Sequence, residues 1–490
     1  MSELYVIVLA VIVVVLLSVA LYRTSQVKTK ADYLVAGRSL PAVVLVLTLL
    51  TSWIGAGSLF AGAENAYRNG FAALWQAGGG WLGLLLIYFI APRARKFAQF
   101  TLPDLLEARY NQTARVLGTI AILFAYVGIT SYQFKGGGDV LHLIFPDTVT
   151  PMMGTYLIAA FVIFTTALAG MSSVAYMDVA IGSLVTVICV IAAPMLFLQA
   201  GGWVGLHAAL PPQYFQLLGN FRMGANGVEQ PVSMGYVKAM EFLVPTMLLM
   251  LGNQVMYQKF FSAKSEKDAR VSVIGWILGT VVLETLIVAI AVFGRALFPT
   301  GEVALHPREI IPYTARHGLP AVMGALLLGA VFAKVISTAS NYLFSPATNL
   351  VNDVFVRYMM PTASNKRVLI VSRLAVVLLG CWALYQAVYA ESILQKMLWA
   401  YTIYSAALTP VVLAAFYSRR VTAWGAVAAI ASGTVVTLAW DVEAVRGLFP
   451  QIIAARDAIF PALFAAVIAM VVVSLFTPAP GAQQLAKFAD

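Results

Sequence analysis

Between Gly329 and Asp353 the sequence reads GAVFAKVISTASNYLFSPATNLVND. Within it Lys334, Ser337, Thr338, Asn341, Ser345, Thr348, Asn349, Asn352 and Asp353 follow one another at steps of 3 or 4 almost throughout. That spacing draws their polar groups into one stripe down a helix whose first turns are wholly apolar. Unpaired polar groups cost several kcal/mol each in hydrocarbon, so the stripe must face a bundle interior or a water-filled path. Lys334 is the sharpest residue in it. An ionisable group at membrane depth costs at least ~2.5–3.5 kcal/mol and marks a functional site by default. A buried lysine either pairs with a carboxylate or gives up its proton.

Other residues offer binding rather than bond-making chemistry. Asp178, in AGMSSVAYMDVAIG, lies near the start of an apolar run. It is either solvated at the membrane boundary or turned toward the stripe, balancing Lys334. Gln76 follows Trp75 in FAALWQAGGGWLG; it either bonds a neighbouring helix or offers a solute hydrogen bond beside an aromatic wall. Lys135 and Asp139 stand at i and i+4 in SYQFKGGGDVL, as an internal ion pair or with Lys135 snorkelling to the outer interface. The four histidines show no metal-ligand spacing, and the sequence has no G-x-x-x-x-G-K-[ST], G-x-S-x-G or H-E-x-x-H. An ATP-driven pump and a membrane hydrolase are disfavoured; we expect no enzyme activity and no cofactor beyond a coupling Na+ or H+.

The elements that must position these residues are membrane helices. The chain has 490 residues, 61% hydrophobic and 11% charged, with a mean hydropathy of +0.86. The net charge of +10 reads as basic cytoplasmic loops, with no nucleic-acid partner. Cys189 and Cys381 both lie in apolar runs and suggest neither a disulfide nor a metal site. Thirteen spans are legible, roughly 2–22, 42–66, 71–91, 114–144, 150–169, 175–200, 236–258, 271–298, 320–356, 367–387, 393–416, 421–439 and 456–476. Of the 31 lysines and arginines, twenty fall on one side of these spans, Lys28, Lys259 and Lys487 among them. Nine fall on the other, and only Lys135 and Lys334 fall inside. The bias predicts a multi-pass protein of the cell membrane (a bacterial inner membrane), N-terminus outside and C-terminus cytoplasmic. Residues 1–480 read as a single membrane domain contacting lipid and acting as a monomer, with 481–490 a short cytoplasmic tail.

Two spans look broken. The second, LLTSWIGAGSLFAGAEN, carries Gly55, Gly57 and Gly62; the seventh, VPTMLLMLGNQVMYQKF, carries Pro245 and then Gly252-Asn253-Gln254. Breaks at membrane depth are tolerated where freed carbonyls line a cavity. Two of them five spans apart point to an inverted repeat and a secondary transporter, with repeats at about 42–200 and 236–416 and with the first span and the last two (421–476) peripheral. The alternative is that the small residues only allow close helix packing.

Four segments carry a resemblance to a known family. They are KTKADYLVAGRSLP, TLPDLLEARYN, LGNQVMYQKFFSAKSEKDAR and STASNYLFSPATNLVND. They are similar to segments of the sodium:solute symporters, carriers of sugars, proline, pantothenate and sialic acid. The resemblance covers nearly the whole chain. It implies an all-α LeuT-type fold of five-plus-five inverted repeats with added helices, about 13 in all, and solute uptake coupled to sodium. It also implies a Na+ site made by the carbonyls of Ser52, Gly55 and residue 334 and the hydroxyls of Ser337 and Thr338, with Asp178 at a position that helps hold a second sodium in some members. Solute contacts would come from Thr51, Gly57, Ser58, Gln76, Asn253, Tyr257 and Thr402.

The chain departs from that pattern. Position 334 is usually small in the family, Ile54 stands where the break often has a polar residue, Asn341 and Phe344 replace motif residues, and Pro346 interrupts the helix. A Lys334 ammonium would sit about where sodium should, paired with Asp178. The reading is therefore a symporter for a small polar solute, proton-coupled or sodium-independent. The alternatives are conventional sodium symport and, in another class, a transporter-like solute sensor.

Overall fold

The computed structural model describes the chain except residues 1, 25–28, 98–100, 169, 224–227, 301–302, 304–305, 390–391, 482–484, 486–487 and 489–490. Lys28, Lys487 and most of the expected tail lie outside the described residues. The main helices are α1 (Ser2–Thr24), α2 (Ala42–Trp53), α3 (Leu74–Phe97), α4 (Gln112–Ile144), α5 (Pro151–Leu168), α6 (Met171–Gln199), α7 (Val232–Gly252), α8 (Glu266–Leu297), α9 (Ala321–Asn349), α10 (Asn365–Tyr389), α11 (Ile393–Ala407), α12 (Ala423–Trp440) and α13 (Ile459–Phe476). Among the described residues, eleven helical segments are long and apolar enough to cross a bilayer, and the shorter apolar helices Glu3–Val19 and Ala42–Trp53 bring the number to thirteen, as expected. The protein is a multi-pass, all-helical membrane protein.

The two breaks have the same backbone. Ile54 leaves α2 at φ −81°, ψ 115°. A π-helical turn, Gly57–Gly62, then leads into the second half, Ala63–Asn69. Asn253 leaves α7 at φ −63°, ψ 113°, and the second half of that helix runs Gln254–Ser262. One extended residue is enough to end each half-helix and free its last carbonyls.

Around these breaks α9 packs on α4 and α6, α8 on α2 and α3, α7 on α3, and α11 on α4 and α7. Helix α9 is buried almost continuously from Gly324 to Asn349, so its polar stripe faces the bundle interior rather than lipid. It runs straight through Pro346, where the sequence predicts an interruption. Packing on every side outweighs the hydrogen bond that proline cannot make, and the helix loosens only afterwards, in the π-helical turn Leu350–Met359. Helices α12 and α13 pair with each other against α11, and α1 lies along α9.

Candidate functional site

The break in α2 is pressed against the stripe of α9. A Cβ on Gly55 would come within 2.6 Å of Thr338 Cγ2, so only glycine allows the approach. Thr338 Oγ1 lies 3.2 Å from the Thr51 carbonyl and 3.1 Å from that of Ile54, capping the carbonyls the break sets free. On the other side the Ala56 N–H donates to Gln133 Oε1 of α4 at 2.8 Å.

One turn away lies a buried ion pair. Lys259, in the second half of α7, donates to Asp178 Oδ2 at 3.1 Å, to the Thr48 carbonyl at 2.8 Å and Thr48 Oγ1 at 2.7 Å, and to Ser52 Oγ. Both charged side chains are fully buried. Asp178 also accepts from Thr48 Oγ1 at 2.5 Å, from Ser337 Oγ, and from Asn341 Nδ2 at 3.2 Å to each oxygen. This corrects two expectations. Asp178 is neither solvated nor paired with Lys334, and Lys259 is not a loop cation. The break at Asn253 lengthens the membrane part of α7 to Ser262, which carries Lys259 into the interior. The signal was available: a helix restarting at Gln254 has Lys259 at its centre.

Lys334 is fully buried too. Its ammonium donates to the Leu50 carbonyl at 3.4 Å and forms no ion pair among the described residues. The oxygen-rich set Ser52, Gly55, Asp178, Ser337 and Thr338 is of the right type for a hard cation. Ser337 and Thr338 donate their hydroxyl protons to Asp178 and the break carbonyls, which leaves their oxygen lone pairs facing the region that Lys259 and Lys334 share with Asp178. Among the described residues no cluster of His, Cys, Asp or Glu suits a metal ion.

The expected solute residues separate into two groups. Ser58 and Gln76 border a small cavity with Gly62, Ala73 and Glu284 of α8, and Gly57 lies beside the Tyr401 hydroxyl and Met397. The sequence reading missed Glu284, a lone carboxylate amid the apolar run VVLETLIVA; the rule that drew attention to Lys334 applies to it equally. The other group is spent on structure. Thr51 Oγ1 donates to the Asp178 carbonyl at 3.1 Å. Asn253 caps its half-helix through the Val255 N–H at 3.0 Å and bonds the Tyr126 and Tyr342 hydroxyls, each at 2.8 Å. Tyr257 donates to the Leu251 carbonyl at 3.0 Å. Gln76 reaches Met397 of α11 at 3.6 Å, whereas the Gln254 N–H meets Tyr404 of the same helix at 2.9 Å. Those contacts are seven residues apart, roughly 10 Å along the helix axis, so Gln76 and Asn253 do not converge. Thr402 is buried on α11. Of the aromatic residues, Trp53 stacks on Tyr401, while Trp75 donates to the Leu217 carbonyl at 2.7 Å.

The remaining charges tie the ends of the bundle. Arg115 at the start of α4 bonds Asp104 and Glu107 of the short helix Leu102–Arg109, and Asp353 beyond α9 at 2.7 Å. Asp139 is paired with Arg308 at 3.0 Å.

The family's sequence profile matches residues 33–433, described as the sodium:solute symporter family. The chain belongs to the sodium:solute symporter family. A sodium/proline symporter of Staphylococcus aureus is 26% identical to this family member over 507 aligned positions, covering 97% of this chain and 93% of that one. Among solved structures, a Na+-coupled sialic acid symporter in a substrate-bound outward-open state superposes with a TM-score of 0.81 at 18% identity, covering 97% of this chain and 98% of its own. Mhp1, a nucleobase-cation-symport-1 transporter in a closed conformation with bromovinylhydantoin bound, gives 0.60 at 14% identity, covering 94% and 99%. The shared architecture is the LeuT fold expected from the sequence.

Proposed function

We propose that this symporter-family chain is a monomeric secondary transporter that carries a small polar solute across the cell membrane by alternating access, and that it does so without requiring sodium. The observation that supports this reading is Lys334, whose ammonium reaches the Leu50 carbonyl one turn before the α2 break, with Lys259 already paired to Asp178. Asp178 is already neutralised by Lys259, so a Lys334 that holds its proton makes the buried region net positive and opposes a further cation, whereas a Lys334 that has given it up is a group through which a proton can couple. Thr338 already caps the carbonyls of Thr51 and Ile54. A tethered ammonium thereby replaces the mobile ion, and coupling passes to protons or is absent.

The relatives' names support this solute class: proline, sialic acid and a hydantoin are all small polar molecules. The test is uptake into proteoliposomes, starting with L-proline, in sodium-free buffer with and without an inward proton gradient. The parent should work without sodium, and Lys334→Ala should lose that uptake or regain a sodium response. A strict sodium requirement in the parent would overturn the sodium-free reading and leave conventional symport.

A further inference from the structure

Among the described residues, Glu284 is the one buried carboxylate near the α2 break that the coupling region does not use. It lies midway along α8, only 6% exposed. Its oxygens accept from two tryptophan indoles, Trp53 Nε1 at 2.9 Å and Trp81 Nε1 at 3.1 Å. The Ser58 hydroxyl hydrogen-bonds it as well. All three partners are neutral, and no ion pair to Glu284 occurs among the described residues.

The same cavity holds a second acceptor, and unlike Glu284 it has no partner among the described residues. Gln76 is 8% exposed, its Nε2 is turned to Met397 Sδ, and its Oε1 has no hydrogen-bond partner among the described residues. Glu284 and the Gln76 amide oxygen place two acceptors on this wall, beside the Ser58 hydroxyl. A solute that answers it brings donors and positive charge. Buried acceptors left unanswered cost more than a made hydrogen bond gains, and that difference gives such a site its selectivity. The space is about 20 Å³, room for one water-sized group and so for an ammonium head rather than a whole solute.

We propose that Glu284 and Gln76 form the recognition site for a protonated amino group, so that the transported solute carries an ammonium. The inference rests on the proposed transport function and adds the chemical class of its solute.

The experiment is competition and uptake with matched probes in proteoliposomes: L-proline against cyclopentanecarboxylate, putrescine against butane-1,4-diol, galactosamine against galactose. At least one amine-bearing member should be taken up, and its amine-free partner should compete at least tenfold more weakly. Glu284→Gln, which keeps the side chain's size, should raise the half-saturating concentration of the amine at least tenfold while leaving the melting temperature of the purified protein near that of the parent. Uptake confined to amine-free solutes overturns the inference but leaves the transport function standing. Uptake of nothing by the parent, given a sealed and monodisperse preparation, overturns both. If Glu284→Gln keeps its affinity for the amine and loses only a pH response, the carboxylate carries the coupling proton and the inference fails. Should that variant not fold, the competition between matched probes on the parent decides the matter alone.

Discussion

At the scale of residues, the site is a contest between groups that bind and groups that hold. Asp178 serves a lysine, two hydroxyls and an amide at once. Asp178→Asn would leave the Lys259 charge buried without its counter-charge, and losing one partner of such a pair costs about 3–5 kcal/mol. A marked fall in melting temperature, partly recovered by adding Lys259→Met, is the expected result in detergent. Asn253→Ala and Gln76→Ala should then diverge. The first removes a helix cap and two tyrosine contacts, so it lowers thermal stability. The second leaves the fold intact and weakens solute affinity by roughly 1–3 kcal/mol, read by isothermal titration or uptake competition. Lys334 was legible in the sequence because its stripe recurs with helical spacing. Lys259 was not, because a boundary placed one residue short put it in a loop. Glu284 lacks such spacing, and its signal is only that of a carboxylate inside an apolar run, VVLETLIVA.

At the scale of elements, both broken helices were visible from their glycines and asparagine, but what fills the breaks was not. Spacing within one span says nothing about which neighbour approaches it, and Gln133 and Thr338 meet the α2 break from α4 and α9. Pro346 misled for the same reason, since its cost depends on packing that the sequence does not display. The close approach of Gly55 to Thr338 gives a direct test. Gly55→Ala places a methyl 2.6 Å from Thr338 Cγ2 and should abolish uptake while expression persists. Thr338→Ser removes the Cγ2 methyl but leaves Oγ1 at 2.7 Å and Cβ at 2.8 Å from the new carbon, so the double variant should stay inactive, measured as initial uptake rate.

At the scale of the whole molecule, the count of crossings and the repeat architecture followed from hydropathy and from the distance between the breaks. We propose the orientation from charge alone: a reporter fused after Asp490 should be active only in the cytoplasm, and periplasmic activity would reverse it. At the basic end, burial works against the charge on Glu107, but hydrogen bonds from Arg115 and Arg357 outweigh it and hold its carboxyl below the usual carboxylate range. Its contribution to stability is therefore fully present above about pH 4.3, the ordinary glutamate value, and is lost only as pH falls through the lowered one. Glu107→Gln should flatten the acid limb of a melting-temperature profile. The tethered side chain of Lys334 has a further consequence, electrical in kind. A side chain that returns with every cycle moves no net charge across the bilayer, so voltage can act only on the solute and any proton that accompanies it. With no proton coupled, a zwitterion such as proline should accumulate no differently under a potassium-valinomycin potential. A singly charged cation should concentrate up to about fifty-fold at about 100 mV, the equivalent of ~2.3 kcal/mol.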